Sequence, residues 1–169
     1  LLAVGGRPVR PDIPGAELAI TSNEIFSLQQ LPKSMLIIGG GYIASEFAGI
    51  MTGLGVATTQ FYRGEQILRG FDDEARNLVT DGMRARGVDL RLGTNATALR
   101  QEGNGIRVVA TDGTEAVYDQ VMFATGRRPN TDMLGLAALD LPLDANGAVI
   151  VDDYSCLLYT SPSPRDRFL

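Results

Sequence analysis

The sequence predicts an α/β fold in which helices and a β-meander cover a parallel sheet. An apolar run at residues 35–38 leads through three glycines into a segment with helical spacing of its apolar side chains. A β-rich run at residues 56–62 follows, so strand, helix and strand make a compact βαβ unit. Three short β-type runs after residue 96 carry hairpin signals between them.

The first 30 residues are predicted to be the end of a strand and an extended connector. Residues 1–4 are apolar and strand-like, and two glycines end the run. Three prolines follow before residue 15. Because proline fixes φ and disfavours helix in the residue before it, the segment is not expected to be helical.

Two helices are predicted between the strands of the unit. The first runs from Tyr42 to about Leu54, where a Gly-Leu-Gly sequence ends it. The second opens with acidic residues at 72–74, which favour the positive end of a helix dipole, and stops at Gly87. Residues 88–92 are predicted to form the next parallel strand.

A three-stranded meander is predicted where a crossover helix would otherwise stand. Its strands are residues 97–100, 106–111 and 115–118, with Asn-Gly and Asp-Gly sequences between them. Residues 120–124 read as another buried strand, and Thr-Gly follows it.

Composition excludes several kinds of chemistry. The 169 residues contain one cysteine and no histidine, and their net charge is -5. An internal disulfide, a Ser-His-Asp triad and an imidazole metal site are therefore excluded. The negative charge disfavours nucleic acid and anionic membranes, and no apolar run approaches the roughly 18 residues of a membrane span. We expect a cytoplasmic protein with no nucleic-acid or membrane partner.

The glycine loop predicts dinucleotide binding. Gly39, Gly41 and Ala44 fit the pattern G-x-G-x-x-A, with Tyr42 and Ile43 between them. The first glycine permits a tight turn, the second lets the backbone approach a pyrophosphate, and the alanine permits close helix packing. N–H groups at the helix start then bind the phosphates. A strand, this glycine loop and a helix in succession predict a Rossmann-like fold. A plain turn is the alternative to dinucleotide binding.

The end of the second strand predicts NADPH rather than NADH. An NAD site usually has an acid there for the ribose hydroxyl, but this strand ends in Tyr62. Arg63 and Arg69 follow instead, and guanidinium groups suit an additional 2′-phosphate. Glu65 is the residue that could disturb this prediction. The alternative is that both arginines are ordinary surface residues.

Three ordered motifs resemble a known family. They are GGGYIASEFA at residues 39–48, QFYR at 60–63 with Arg69, and ATGRRPN at 124–130. Together they resemble the two-dinucleotide-binding flavoprotein disulfide reductases, and among these the glutathione reductases. The resemblance covers roughly residues 1–155.

The resemblance implies a division of the chain. Residues 1–30 would be the end of a first FAD-domain segment with its connector, although Val4 departs from the family's Ala-Thr-Gly-Gly pattern. Residues 31–130 would be the NADPH domain. Residues 131–155 would re-enter the FAD domain, with 148–151 as a returning strand. The fold would thus be flanked by partial FAD-domain segments.

The last segment, residues 156–169, departs from the family pattern. It resembles translated read-through of a sequencing adapter. We expect it not to belong to the fold. A genuine Ser/Pro-rich tail is the alternative.

The family likeness also implies roles for single residues. Tyr42 would cover the flavin face until nicotinamide displaces it, Glu46 would pair with a lysine near the flavin, and Gly126 would lie close to NADPH. Ordinary packing, solvation and a strand-ending turn are the respective alternatives. Arg127 and Arg128 are expected to be solvated and not to belong to the site.

The implied enzyme passes electrons from NADPH through FAD and a protein disulfide to glutathione disulfide, and acts as a homodimer. This chain has neither the redox cysteine pair nor the acid/base histidine, so it is expected to be an inactive, NADPH-binding fragment with an incomplete FAD site. The alternatives are dihydrolipoyl dehydrogenase or another family disulfide reductase, and a non-catalytic NADP-binding module.

Overall fold

The structure is a computed structural model that describes residues 2–157, and these form two compact units. The larger unit is Pro8–Gly126. The smaller unit contains the described residues 2–7 and 127–157. Each unit is described by itself below.

The regular elements follow one another along the chain with short connections. In order they are β1 (Gly6–Pro8), β2 (Ile20–Thr21), β3 (Ser34–Ile38), α1 (Tyr42–Gly53), β4 (Ala57–Tyr62), α2 (Asp73–Ala85), β5 (Asp89–Leu92), β6 (Ala96–Glu102), β7 (Gly105–Ala110), β8 (Glu115–Tyr118), β9 (Gln120–Phe123) and β10 (Arg127–Pro129). Short 3-10 helices span Ala16–Leu18, Glu24–Ser27 and Leu136–Leu139.

A five-stranded parallel sheet forms the centre of the larger unit, with strand order β2-β9-β3-β4-β5. Leu36 of β3 pairs with Thr59 of β4 on one side and with Val121 of β9 on the other. Strands β6, β7 and β8, which follow β5 and precede β9 in the sequence, form a separate antiparallel sheet. The predicted α/β class, with a parallel sheet and a meander crossover, is confirmed.

Alternate side chains of the central strands face different layers. Met35 and Ile37 of β3 pack in the cluster that contains the buried residues of α1 and α2. Leu36 and Ile38 pack in the cluster that contains the meander residues. Since all four side chains are at most 2% exposed, the strand is buried on both faces, as its continuous apolar run predicts.

The N-terminal segment differs from its prediction. Residues 2–4 form no strand; β1 lies at residues 6–8 and pairs with β10. The segment from Pro8 to residue 30 also does more than connect, because Ile20 and Thr21 add a parallel strand beside β9. The compact unit therefore begins well before the predicted domain boundary at residue 31.

The C-terminal segment differs as well. Residues 148–151 do not form the expected strand, and Val149 makes only an isolated antiparallel bridge to Leu143. The Asp144 carboxylate accepts hydrogen bonds from the N–H groups of Asn146 and Ala148, which bends the chain into a turn. Of the predicted tail, residues 158–169 lie outside the described residues.

Candidate functional site

The glycine loop lies where the central strand β3 ends and α1 begins. Gly39 has a φ of +149°, and a Cβ on it would lie 2.3 Å from the Ala124 carbonyl oxygen. Its own carbonyl accepts a hydrogen bond from Gln60 Nε2 at 2.9 Å. Only glycine fits this turn, because a side chain would be both strained and blocked.

The next two glycines face opposite surroundings. A Cβ on Gly40 would lie 2.2 Å from the Tyr62 ring, so the ring covers this glycine. A Cβ on Gly41 would meet nothing within 4 Å, and no side chain caps the helix that starts after it. The loop is therefore packed on one face and open beside the N–H groups of the first turn of α1.

A groove of about 490 Å³ runs along the carboxyl ends of β3, β4 and β9. This edge is where parallel α/β sheets bind ligands, at the point where connections leave in opposite directions. The groove is lined by Val9, Pro11, Ile38, Gly39, Gly40, Gly41, Phe61, Tyr62, Arg63, Arg69, Asn95, Ala124, Thr125 and Gly126. Five of the nine predicted site residues are in this lining: Gly39, Gly41, Arg63, Arg69 and Gly126.

The charge of the groove is positive although the chain is acidic. Arg63 and Arg69 are the charged members of its lining, and both are exposed. Neither side chain is hydrogen-bonded or ion-paired within residues 2–157. Glu65 is exposed and lies outside the lining. The groove therefore presents free guanidinium groups and no carboxylate.

The Thr-Gly sequence after β9 is fixed to the N-terminal side of the unit. Thr125 Oγ1 donates to the Val9 carbonyl at 3.0 Å, and the Val9 N–H donates to the Gly126 carbonyl at 3.1 Å. Gly126 has a φ of +133°, and a Cβ there would meet nothing within 4 Å. These bonds hold an open glycine at the far wall of the groove.

The other four predicted site residues lie on α1 and are not in the groove lining: Tyr42, Ile43, Ala44 and Glu46. Ala44 is fully buried, and its Cβ would lie 3.3 Å from a Cβ on Gly39. It serves helix packing, as the motif predicts. Tyr42 and Glu46 are exposed and one helical turn apart, so they share a face of the helix.

Some groove residues were not predicted from the sequence. Val9 and Pro11 come from the segment expected to be a connector, and Asn95 comes from the turn between β5 and β6. No local pattern marks these residues, because only long-range pairing brings their segments to the loop. The sequence marks position 62 only by its lack of an acid, whereas in the structure the Tyr62 ring also covers Gly40.

A second cavity, of about 500 Å³, lies in the smaller unit and holds none of the predicted site residues. Its lining is mostly apolar and includes Val4, the residue that departs from the family pattern. Thr131 and Ser155 supply its polar side chains.

Residues 2–157 contain neither a membrane-spanning helix nor a cluster of metal-binding side chains. No helix there is both long enough and apolar enough to cross a membrane. Nor does this part of the chain bring together three His, Cys, Asp or Glu residues in a group that could hold a metal ion.

Comparison with known families decides the affiliation of the chain. The sequence model for "Pyridine nucleotide-disulphide oxidoreductase" matches residues 1–161. The chain belongs to this family. The match covers the glycine loop, the strand that ends in Tyr62 and the Thr-Gly sequence after β9, which are the motifs that carried the resemblance.

Curated family members are similar over nearly the whole chain. A glutathione reductase from Burkholderia cepacia is 50% identical over 155 residues, which are 92% of this chain and 34% of that protein. A trypanothione reductase from Leishmania donovani is 46% identical over 159 residues, 92% of this chain and 32% of that protein. The chain thus spans about a third of the length of the curated relatives it matches.

Solved family structures have the same fold. The HOCl-induced flavoprotein disulfide reductase of Escherichia coli superposes with a TM-score of 0.83 at 27% identity, covering 89% of this chain and 35% of that one. An engineered water-forming NADPH oxidase bound to NADPH superposes with a TM-score of 0.76 at 26% identity, covering 89% of this chain and 34% of that one.

Proposed function

We propose that the groove binds NADPH in preference to NADH. The observation that carries the proposal is the pair of free guanidinium groups, Arg63 and Arg69, in a groove whose lining contains no carboxylate. The cofactors differ by one 2′-phosphate. Arginine recognises phosphate through charge-assisted, often bidentate hydrogen bonds, whereas an acid at the end of β4 would repel it.

The residues present fit a dinucleotide at three places. Gly41 has an open face, so a pyrophosphate can approach the backbone and the first N–H groups of α1. The two arginines lie after β4, where an adenine ribose phosphate would be met. Gly126 leaves room on the opposite wall, where we place the nicotinamide half.

An engineered relative supports the assignment of the arginines. The NADPH oxidase named above carries five substitutions. One replaces an aspartate with alanine, the next residue becomes arginine, and a second new arginine lies six positions further on. Tyr62, Arg63 and Arg69 have the same order and spacing in this chain.

We propose further that the chain supplies the nucleotide-binding part of a glutathione-disulfide reductase. The similarity to glutathione reductases supports this choice, and the similarity to a trypanothione reductase points to an alternative disulfide acceptor. When bound, nicotinamide supplies a hydride to a flavin. The residues of this chain bind the phosphates, orient the dinucleotide and leave space for the ring.

The roles of the α1 residues belong to the same proposal. Tyr42 and Glu46 share an exposed helix face, which suits contacts to a flavin domain rather than to the groove. Ala44 packs behind Gly39, and Ile43 is half-buried in the first turn of α1. We assign residues 31–130 to NADPH binding, together with residues 8–30, which belong to the same compact unit and supply Val9 and Pro11 to the groove. We assign residues 1–7 and 131–155 to a flavin domain. A homodimer in the cytoplasm completes the proposal.

The experiment is a titration of the purified chain with NADPH and NADH. In the double variant Arg63→Gln/Arg69→Gln, we expect the NADPH affinity to fall by about 10- to 100-fold while NADH affinity changes little. The control is Arg84→Gln/Arg100→Gln, which removes the same charge from exposed positions outside the groove. An unchanged preference in the first variant would refute the proposal.

A further inference from the structure

The two groove arginines lie on one tightly held segment, residues 63–71, which we call the arginine loop. It connects β4 to α2. Ile67, in its middle, is completely buried in the cluster beneath α1 and α2. The Gly64 carbonyl near its start accepts a hydrogen bond from the Gly93 N–H, and the Tyr62 carbonyl just before the loop accepts one from the Thr94 N–H. The backbone is thus fixed while both arginine side chains are free.

Leu68, directly before Arg69, has an unusual backbone conformation. Its φ is +58°, a left-handed value that leucine rarely adopts. Its N–H donates to the Gly40 carbonyl at 2.6 Å, which ties the arginine loop to the glycine loop. Its carbonyl accepts from the Phe71 N–H at 3.1 Å. Such a conformation persists only where surrounding contacts hold it.

Arg76 of α2 supplies those contacts from outside the groove. Its Nε donates to the Ile67 carbonyl at 2.8 Å, and its Nη2 donates to the Gln66 carbonyl at 3.1 Å. Its third nitrogen, Nη1, lies 2.5 Å from Asp73 Oδ1. A cation near the start of a helix is disfavoured by the helix dipole. The two hydrogen bonds and the ion pair of Arg76 offset that cost.

The peptide between Ile67 and Leu68 is therefore held at both ends. Arg76 binds its carbonyl and Gly40 binds its N–H. Because a peptide group is planar, fixing both ends fixes its orientation and so restrains the left-handed φ of Leu68. The next residue in the chain is Arg69, whose direction depends on that turn.

We propose that Arg76 is a positioning residue that directs Arg69 toward the 2′-phosphate and thereby sets the preference for NADPH. The inference rests on the proposed function of the groove. Arg76 itself lies outside the lining and acts through the backbone of the arginine loop. Lysine does not substitute for it, since a single ammonium lacks the planar fork that reaches two carbonyls and a carboxylate.

The test compares the ratio of the NADH and NADPH dissociation constants in the purified chain and in Arg76→Met. We expect this ratio to fall about tenfold with the NADH constant nearly unchanged, because only the charge-assisted bonds to the 2′-phosphate are lost. Hydrogen exchange of the Leu68 amide should accelerate in the variant. Arg84→Met, an exposed arginine on the same helix, is the matched control and should change neither quantity.

A double-mutant cycle shows whether Arg76 acts through Arg69. In an Arg69→Met background, Arg76→Met should leave the ratio unchanged. An equal fall in both backgrounds, or no fall in the single variant, overturns the inference. If Arg76→Met does not fold, Arg76→Lys takes its place with the same expected outcome.

The result also separates this inference from the proposed function. If the unmodified chain shows no preference for NADPH, the proposed function fails. The claim about preference then fails with it, and the Leu68 amide tests only whether Arg76 holds the Ile67–Leu68 peptide: unchanged exchange in Arg76→Met overturns that as well. If the chain prefers NADPH and Arg76→Met keeps the preference, the inference alone is overturned.

Discussion

Gln60 Nε2 donates a 2.9 Å hydrogen bond to the carbonyl of Gly39, and thus a side chain of β4 holds the first glycine of the loop. Gln60 is completely buried, and its Oε1 has no hydrogen-bond partner within the described residues. Since buried polar groups are normally hydrogen-bonded, we infer that this position requires the Nε2 donor and tolerates the unpaired Oε1.

Replacing that donor with a carboxylate should be worse than deleting it. In Gln60→Glu, a buried charged group would face the Gly39 carbonyl, and we expect stability to fall by about 3 kcal/mol or more. In Gln60→Leu, the unpaired Oε1 disappears together with the donor, so the loss should be nearer about 1 kcal/mol. Denaturant unfolding at pH 7 measures both, with the exposed Gln30→Leu as control. Equal losses would contradict this account.

The first and third glycines of the loop should respond differently to alanine. Gly39→Ala should lose more than about 2 kcal/mol of stability, because of its positive φ and the Ala124 carbonyl. Gly41→Ala should lose at most about 1 kcal/mol, since its Cβ meets nothing. The NADPH affinity of Gly41→Ala should nevertheless fall, because the added methyl group would occupy the open face of the glycine loop.

Thermal unfolding and cofactor titration separate these two effects. The control is Gly49→Ala within α1, which has open space around it and should gain about 0.5–1 kcal/mol with unchanged binding. Normal NADPH binding by Gly41→Ala would argue against a pyrophosphate at this loop.

Acid should remove one stabilising contact of the N-terminal segment. Hydrogen bonds from the side chain and backbone N–H of Thr21, both 2.7 Å, lower the pKa of the Glu24 carboxyl below its ordinary value of 4.5. A lowered pKa means that the stabilisation is present above the unfolded value and is lost as pH falls through the folded value.

Glu24→Gln should therefore be less stable than the parent chain at pH 7, by about 1 kcal/mol or less because Glu24 is exposed. The difference should vanish in acid. Unfolding curves between pH 7 and pH 3 measure it, and exposed Glu17→Gln is the control. A difference that is constant over this range would exclude the carboxylate as its source.

The chain alone should bind NADPH without reducing glutathione disulfide. Its one cysteine, Cys156, cannot form a dithiol pair within the chain, and it has no histidine to act as an acid or base. The absorbance of NADPH at 340 nm should stay constant with glutathione disulfide and added FAD. Formation of glutathione thiols in proportion to the chain would refute this expectation.

Most of the fold could be predicted because its signals are local. Helix α1 was predicted from Tyr42 to about Leu54 and runs to Gly53, and the meander strands lie within a few residues of their predicted bounds. The strand predicted at residues 1–4 is not found at residues 2–4, because apolar composition alone does not supply a neighbouring strand to pair with. The strand Ile20–Thr21 was missed because it is short and exists through β9.

The sequence by itself determined the glycine loop between strand and helix, the missing acid after Tyr62 and the two arginines that follow it. These features depend on residue type and on spacing along the chain. Tertiary structure alone decided that Gln60 holds Gly39, that Leu68 is left-handed and that Arg76 and Gly40 hold one peptide between them. Such contacts join residues from different elements, and a hydrogen bond between elements has no signature until packing has fixed where each element lies.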